Sequence, residues 1–534
     1  MGLHRDDREF RHPGVSFLDY KQLDMDRVLT GLLPRLWWRG SSSVVIGSPN
    51  DVPVGEYAAT ILESTAWFQG FDPEITHRWV ETCLLDLINR GRQGQAVAGL
   101  RPLHGFAYRY RVAKRSRPYG ADEQLYWMIY HEPGGRGPRI LGSLKQFFFA
   151  GIDARTGTPT PTAGNGVDVE TQALINLSQV IHRKVTDREA KAAQGYPPMD
   201  PESARLLVDD VIRLLYHQEL IPRSVLVDHL KILFAFHLAR YHLRLMRLLP
   251  VRIAGGAAAD PPCGFFLDVA GVPGTPPAAL AERSARHWYA RMPEFIQATF
   301  TVKKLDDLAS HLVKIGKLHR PPTGVFAVPE LLRLIGPSYR ADRDRFAESR
   351  LPRVLEALQE PGQDLDPAIA DLLDLGLDPF TTYIEIIASC RVAFHRKYLT
   401  GCLDALLLKN RPGAMIAQPR RGERRFVLDS RLLEVLLQLA LLRPDAAGGL
   451  HTEPIRVDEF LALLRERYGL YIDQLPPGDG FSVTNLADQS ALRANREAFV
   501  AKLRQIGFYN DLSDAYLTQT ITPRYRLTSA GTSR

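Results

Sequence analysis

The sequence predicts a mainly α-helical protein with a small antiparallel sheet near its start and a winged-helix-like unit at its end. Three observations predict it. The middle of the chain repeats its apolar residues at helical spacing, residues about 106–149 are rich in strand-type residues, and the last 120 or so residues read as three helices followed by a hairpin.

At 534 residues the chain exceeds what one core usually serves, so several domains are expected. Residues 1–155 read as an α+β domain. Val28 to Trp38 has helical spacing until Pro34, and Tyr57 to Phe68 and Ile75 to Asn89 have it throughout, the last stopping at Gly91. Phe106, Tyr108, Tyr110 and Val112 then alternate with Arg109 and Arg111, and Leu125 to Tyr130 and Ile140 to Phe149 complete the expected sheet. Gly134-Gly135-Arg136-Gly137 would be a hairpin loop between two of those strands, not a phosphate cradle.

A Thr/Pro/Gly-rich stretch, Thr156 to Gly166, suits a linker. From 167 to 410 the pattern is helical and divisible into two subdomains by the Gly/Pro-rich loop 251–278, which carries the short apolar stretch Phe265 to Val269. Ser203 to Tyr216 is one strong helix. Ser224 to Leu249, ended by Pro250, is apolar nearly all round and reads as a buried central helix. Thr381 to Leu408 is the longest helix after the loop.

Residues 415–534 have the clearest pattern. Arg431 to Leu442, Val457 to Tyr468 closed by Gly469, and Asn485 to Ile506 closed by Gly507 are helices; Phe508-Tyr509 and Tyr516 to Leu527 are strand-like up to Pro523. Leu492, Phe499, Leu503 and Ile506 share one face of the third helix, and Arg493, Arg496 and Arg504 an adjacent sector.

Charge points to the same region. The net charge is +7, and from Arg391 to Arg534 there are 21 Lys and Arg against 15 Asp and Glu, a difference of +6. A polyanion site is therefore sought first in Arg420, Arg421, Arg424 and Arg425, with Arg493, Arg496 and Arg504 of the third helix. Arg109 and Arg111, interleaved with tyrosines, are a second candidate for contact with nucleic acid.

Enzymatic signatures are mostly absent: no P-loop, no H-E-x-x-H, no G-x-S-x-G and no kinase set. Cys83, Cys263, Cys390 and Cys402 form no C-x-x-C pair, so neither a zinc ribbon nor a disulfide framework is indicated. His182/Lys184, His229/Lys231 and His395/Lys397 are H-x-K triplets, as in phospholipase-D-type nucleases, but none completes H-x-K-x-x-x-x-D. His217, His229, His237 and His242 lack the spacing of metal ligands, and Arg240, Arg244 and Arg247 make a stripe suited to a helix C-terminus or an anion. Asp19-Tyr20-Lys21 has the D-x-K form of a restriction-type nuclease, though Asp19, Asp24 and Asp26 also suit a helix N-terminus. No catalytic residue, metal or cofactor is expected. The charged start, Met1 to Asp7, is unlike a secretory leader, and no apolar run is long enough to span a bilayer, so a cytoplasmic protein without membrane contact is expected.

The runs Phe17-Leu18-Asp19-Tyr20-Lys21-Gln22-Leu23-Asp24-Met25-Asp26 and Gly507-Phe508-Tyr509-Asn510-Asp511-Leu512-Ser513-Asp514 resemble a component of bacterial methylation-associated anti-phage defence systems. The resemblance implies a place beside a methyltransferase and an ATPase made by other genes, and assigns no catalytic residue. The expected function is thus a non-enzymatic, DNA-associated subunit whose winged helix binds DNA or a partner protein. A metal-dependent nuclease using Asp19 and Lys21, or a pure scaffold, are the alternatives.

Overall fold

The central helix expected at Ser224 to Leu249 runs from Arg223 to Ile253 in the computed structural model, with Pro250 inside its last turn instead of ending it. The structure describes residues 2–46, 52–66, 68–91, 94–153, 169–180, 186–190, 195–255, 263–322, 324–359, 365–420, 422–444, 449–478, 481, 485–509 and 519–528. Leu226, Leu230, Leu233, Phe234, Leu238, Leu243 and Leu245 are fully buried and lie on several faces of the central helix, which is why its sequence is apolar nearly all round. Pro201–Leu215, Met292–Lys314, Pro379–Leu407 and Ser430–Ala440 all pack on it. Tyr241, near its middle, donates to the Val15 carbonyl at 3.1 Å and accepts from the Met199 amide at 3.1 Å, tying the N-terminal run to the hub.

Helices make up 58% of the described residues and strands 9%, so the mainly helical expectation holds. The N-terminal sheet does not form where it was expected. Gly105–Tyr110 is a 3₁₀ helix, and Ala121–Tyr130 and Gly137–Phe148 are α-helices. Aromatic and β-branched composition favours strands, but periodicity decides: Ile140, Leu141, Leu144, Phe147 and Phe148 are the buried residues of their segment, a helical stripe. In the first segment Phe106, Ala107 and Tyr108 are all buried, so no in-out alternation exists. Only part of Ile75 to Asn89 is helical. Pro73–Trp79 is an α-helix that passes through a π-turn at Val80–Leu84 into the strand Leu85–Ile88, which pairs antiparallel with Ala96–Leu100.

Gly134 to Gly137 joins two helices, and Gly137 opens the second, correcting the hairpin-loop expectation. A Cβ at Gly137 would lie 2.0 Å from the Ile129 carbonyl oxygen, so only glycine fits there. No anion cradle results, because the Glu132 carboxylate already accepts from the Arg136 amide at 3.0 Å.

Small two-stranded sheets are scattered along the chain. Toward the C-terminus the helices Ser430–Ala440, Val457–Leu463 and Leu486–Gln505 follow the expected order, with Gly469 and Gly507 at positive φ just beyond the second and third helical segments. Ile455–Arg456 pairs antiparallel with Thr520–Ile521, and Tyr509 bridges Ile521 on its other side. Residues 516–518 of the expected second strand lie outside the described residues, and of the rest Thr520–Ile521 is strand. The apolar stretch of the 251–278 loop is drawn into this region: Phe265–Phe266 pairs in parallel with Leu470–Tyr471, and Phe265 stacks on Trp288 at 4.6 Å. Asn495, fully buried on the third helix, holds the stretch through the Val269 amide and the Leu267 carbonyl. One continuous apolar cluster includes residues from Leu3 to Ile521.

Candidate functional site

Asp24, Asp26 and Asp86 each place a carboxylate oxygen within 4.8 Å of the others, which makes this the candidate metal centre among the described residues. Local structure explains two of them. Asp24 caps the Met25–Trp37 helix by accepting from the Asp26 amide at 3.0 Å, and Asp26 sits in its first turn, where acids favour the helix dipole. Asp86 comes from the Leu85–Ile88 strand and is 6% exposed.

Cations from other elements balance the cluster. Lys231 of the central helix lies 2.8 Å from Asp26 and 2.6 Å from Asp228, and the Arg27 guanidinium lies 3.4 Å from Asp86. Burial, reinforced by the Asp24 and Asp26 charges, pushes the Asp86 carboxyl up to about 7 against the pull of Arg27. Burial acts on Asp26 in the same direction, but Lys231, Arg101 and Arg90 outweigh it and hold that carboxyl below its usual range. Three hard oxygen donors suit Mg²⁺, Mn²⁺ or Ca²⁺. A metal would have to compete with Lys231 and Arg27 for the same carboxylates.

The sequence suspects for such chemistry are elsewhere. Asp19 pairs with Arg11, and Lys21 lies over the Tyr398 ring at 4.3 Å. Asp86 escaped sequence reading because a single acid in the apolar run Leu85-Asp86-Leu87-Ile88 is a weak signal. Reading Ile75 to Asn89 as one helix also hid its place in a strand.

The candidate phosphate-binding arginines have diverse settings. Arg420 is exposed, and Arg421 lies outside the described residues. Arg424 pairs with Asp404 at 2.8 Å and covers the Tyr289 ring, whereas Arg425, 3% exposed, is locked to Asp268 at 3.1 Å and to the Gly271 carbonyl. On the third helix Arg493 is exposed, Arg496 is engaged by Asp458 and Asp473, and Arg504 covers Tyr509. Arg109 pairs with Asp187 at 3.1 Å over the Phe106 ring, and Arg111 donates to the Ser43 carbonyl.

The histidines and the arginine stripe are built into the interior. His237 meets Asp210 at 2.9 Å, and Asp210 also accepts from Tyr468 and Arg467. Burial lowers the His237 pKa despite that carboxylate. His242 bonds Ser16 at 2.8 Å, and His217 bonds the Gln438 carbonyl at 3.1 Å. His182 and Lys184 lie outside the described residues, and His395 stacks on Phe10 at 4.0 Å. Arg240 donates to the Tyr468 carbonyl and Arg244 binds Asp200. Both border a cleft of about 790 Å³ whose other walls include Arg205, Asp209, Glu459 and Arg467. Its charges of both signs leave no single-sign field to select an anion or a cation.

No described helix is long and apolar enough to cross a membrane. No curated protein matches the chain. A family model described as methylation-associated defense system protein MAD7 matches residues 5–525.

Proposed function

Because the chain belongs to the family of methylation-associated defense system protein MAD7, we propose that it acts as a non-catalytic, DNA-associated subunit of that anti-phage system. In this reading its C-terminal unit is a winged helix that contacts duplex phosphates. One observation carries the proposal. The three helices keep their order, although Leu442–Pro444, Leu450–Thr452 and Ile455–Arg456 intervene between the first two and Leu470–Tyr471 between the second and third; Thr520–Ile521 runs between Ile455 and Tyr509, and the third helix leaves Arg493 exposed. Among the described residues Arg420, Arg493 and Arg504 are the exposed members of the basic set, so they are the proposed phosphate contacts. A methyltransferase and an ATPase of the same system are the proposed partners, in the cytoplasm.

Duplex binding by the full chain is measured by fluorescence anisotropy at two salt concentrations. The affinity should fall steeply with salt, and Arg420→Glu/Arg493→Glu/Arg504→Glu should weaken it regardless of sequence. Absence of duplex binding at low salt would overturn the reading in favour of a scaffold. A second reading, a metal-dependent nuclease, is favoured by the Asp24/Asp26/Asp86 cluster. Mn²⁺-dependent cleavage of DNA that is lost in Asp86→Asn would support it.

A further inference from the structure

The long Pro379–Leu407 helix is buried over its first and last thirds, but Ser389, Cys390, Ala393, Phe394, Arg396 and Lys397 in its middle are exposed. Along one side of that middle segment runs a continuous ladder. The Arg391 guanidinium sits 4.1 Å from the Phe394 ring centroid, Phe394 packs on Tyr398 at 4.6 Å, and the Lys21 ammonium lies 4.3 Å from the Tyr398 centroid. Positions 391, 394 and 398 share a helical face by their spacing, and Lys21 arrives from the N-terminal run. Phe394 is 43% exposed, a large ring left open to solvent between two cations.

The ladder carries uncompensated positive charge. The short helix Arg5–Arg8 lies against the long one, and the Arg8 charge, after burial, lowers the pKa of Arg391. Arg391 Nε is buried without a hydrogen-bond partner. Among the described residues Arg8, Lys21 and Lys397 form no ion pair with a carboxylate. The nearby Asp19 is already taken by Arg11. Cations on one surface without a carboxylate in an ion pair favour an anion from outside the protein.

We propose that Arg8, Lys21, Arg391, Phe394 and Tyr398 form a binding site for single-stranded nucleic acid. Arg8, Arg391 and Lys21 meet successive phosphates, and the open Phe394 ring takes a base. Alternating rings and cations are what a splayed single strand requires. In a duplex the base faces are occupied by their own stack, so the ring would gain nothing. The site is separate from the C-terminal unit and does not depend on that unit binding duplex.

The test uses the full chain and a fluorescein-labelled oligothymidine, with anisotropy read across a salt series. Wild type should bind. Phe394→Ala should weaken binding roughly tenfold by the loss of one stacked base, and Phe394→Trp should retain it. Lys21→Glu/Arg391→Glu should weaken it further and flatten the dependence of log K on log salt by at least about 1.4, at roughly 0.7 per lost phosphate contact. Arg420→Glu/Arg493→Glu/Arg504→Glu should leave oligothymidine binding unchanged, which separates this site from the duplex reading. Because Phe394 is exposed, Phe394→Ala keeps the fold, and an unchanged far-ultraviolet dichroism spectrum checks this. No binding by wild type at low salt, equal binding by Phe394→Ala, or competition by polyglutamate as effective as by oligothymidine would each overturn the proposal.

Discussion

Replacing Arg425 with Ala should destabilise the protein strongly, although the residue stands in a run that reads as a basic surface loop. Its guanidinium donates from Nε to Asp268 at 3.1 Å and from Nη2 to the Gly271 carbonyl at 2.9 Å, with Asp268 fully buried. Removing it leaves the Asp268 carboxylate in the interior with the Gly271 amide, at 2.9 Å, as its remaining bonded donor among the described residues. Breaking one side of a buried ion pair costs about 3–5 kcal/mol, far more than the pair gains over an apolar substitute. The site has no room to relax, because the Asp268 backbone is itself paired on both sides, to Phe426 and Leu428. Urea titration followed by tryptophan fluorescence reads the loss. Asp268→Asn should cost less on its own, and in the double variant it should recover a large part of the Arg425→Ala loss, because the stranded charge is gone. Arg420→Ala, by contrast, should change stability by less than about 0.5 kcal/mol, as exposed positions usually do. A loss below about 1 kcal/mol for Arg425→Ala, or no recovery with Asp268→Asn, would refute this account. The consequence for function is direct. Reversing all four arginines of the run would abolish DNA binding by unfolding the region, so only the exposed members can test the duplex reading.

Asp86 is held protonated in the folded protein up to about pH 7, whereas an unfolded Asp titrates near 3.9. The folded state therefore binds the extra proton in that window, and the stability it supplies is full below about pH 4 and lost as pH rises through 7. Asp86→Asn should leave the unfolding midpoint unchanged near pH 4 and raise it near pH 8; a uniform shift at both would count against the assignment. Asn495→Ala should cost at least about 3 kcal/mol in the same denaturation assay, since it strands the Val269 amide and the Leu267 and Ile472 carbonyls. A change under about 1 kcal/mol would show that those groups find other partners. Gly120→Ala should lower the melting temperature markedly, because φ is +80° there and a Cβ would lie 2.1 Å from the Phe17 carbonyl oxygen; an unchanged melting temperature would contradict the close approach.

The helices that periodicity specifies were legible, and those that composition obscures were not. Ser224 to Leu249 and the three C-terminal helices could be placed from apolar spacing and terminal glycines, signals that act within one segment. Leu125 to Tyr130 misled because Tyr, Trp and Ile favour strands, while Gly120 at positive φ and the acids Asp122 and Glu123 in the first turn start a helix. The acidic cluster was half legible: Asp24 and Asp26 could be placed at a helix N-terminus, but Asp86 joins them through a fold contact of long sequence separation. No local pattern reports that contact. The Arg391–Phe394–Tyr398 side of its helix was hidden for a similar reason. Lys21 and Arg8 complete it from more than 360 residues away.

Arginine content is a poor footprint of nucleic acid in this chain, because so many of its arginines are interior fasteners. Arg35 binds Asp122 and Glu123, Arg223 donates to the Leu103 and Phe147 carbonyls, Arg244 binds Asp200, and Arg467 binds Asp210. A planar guanidinium can satisfy two acceptors at once, which makes it the cation best suited to join helices through carboxylates and chain-end carbonyls. The +7 net charge therefore cannot be assigned to a surface by counting along the sequence. What separates a fastener from a ligand contact is the fate of its partner. A fastener has a carboxylate or carbonyl within bonding distance, and losing it strands that group. Arg391 forms no ion pair with a carboxylate among the described residues, its Nε has no bonded partner, and the Arg8 charge acts against its own. Replacing Arg391 with Ala should therefore be neutral or mildly stabilising in the free protein, since it relieves a like-charge contact, while weakening oligonucleotide binding. A thermal melt and an anisotropy titration on the same preparation decide the matter. Loss of stability together with retained binding would place Arg391 among the fasteners.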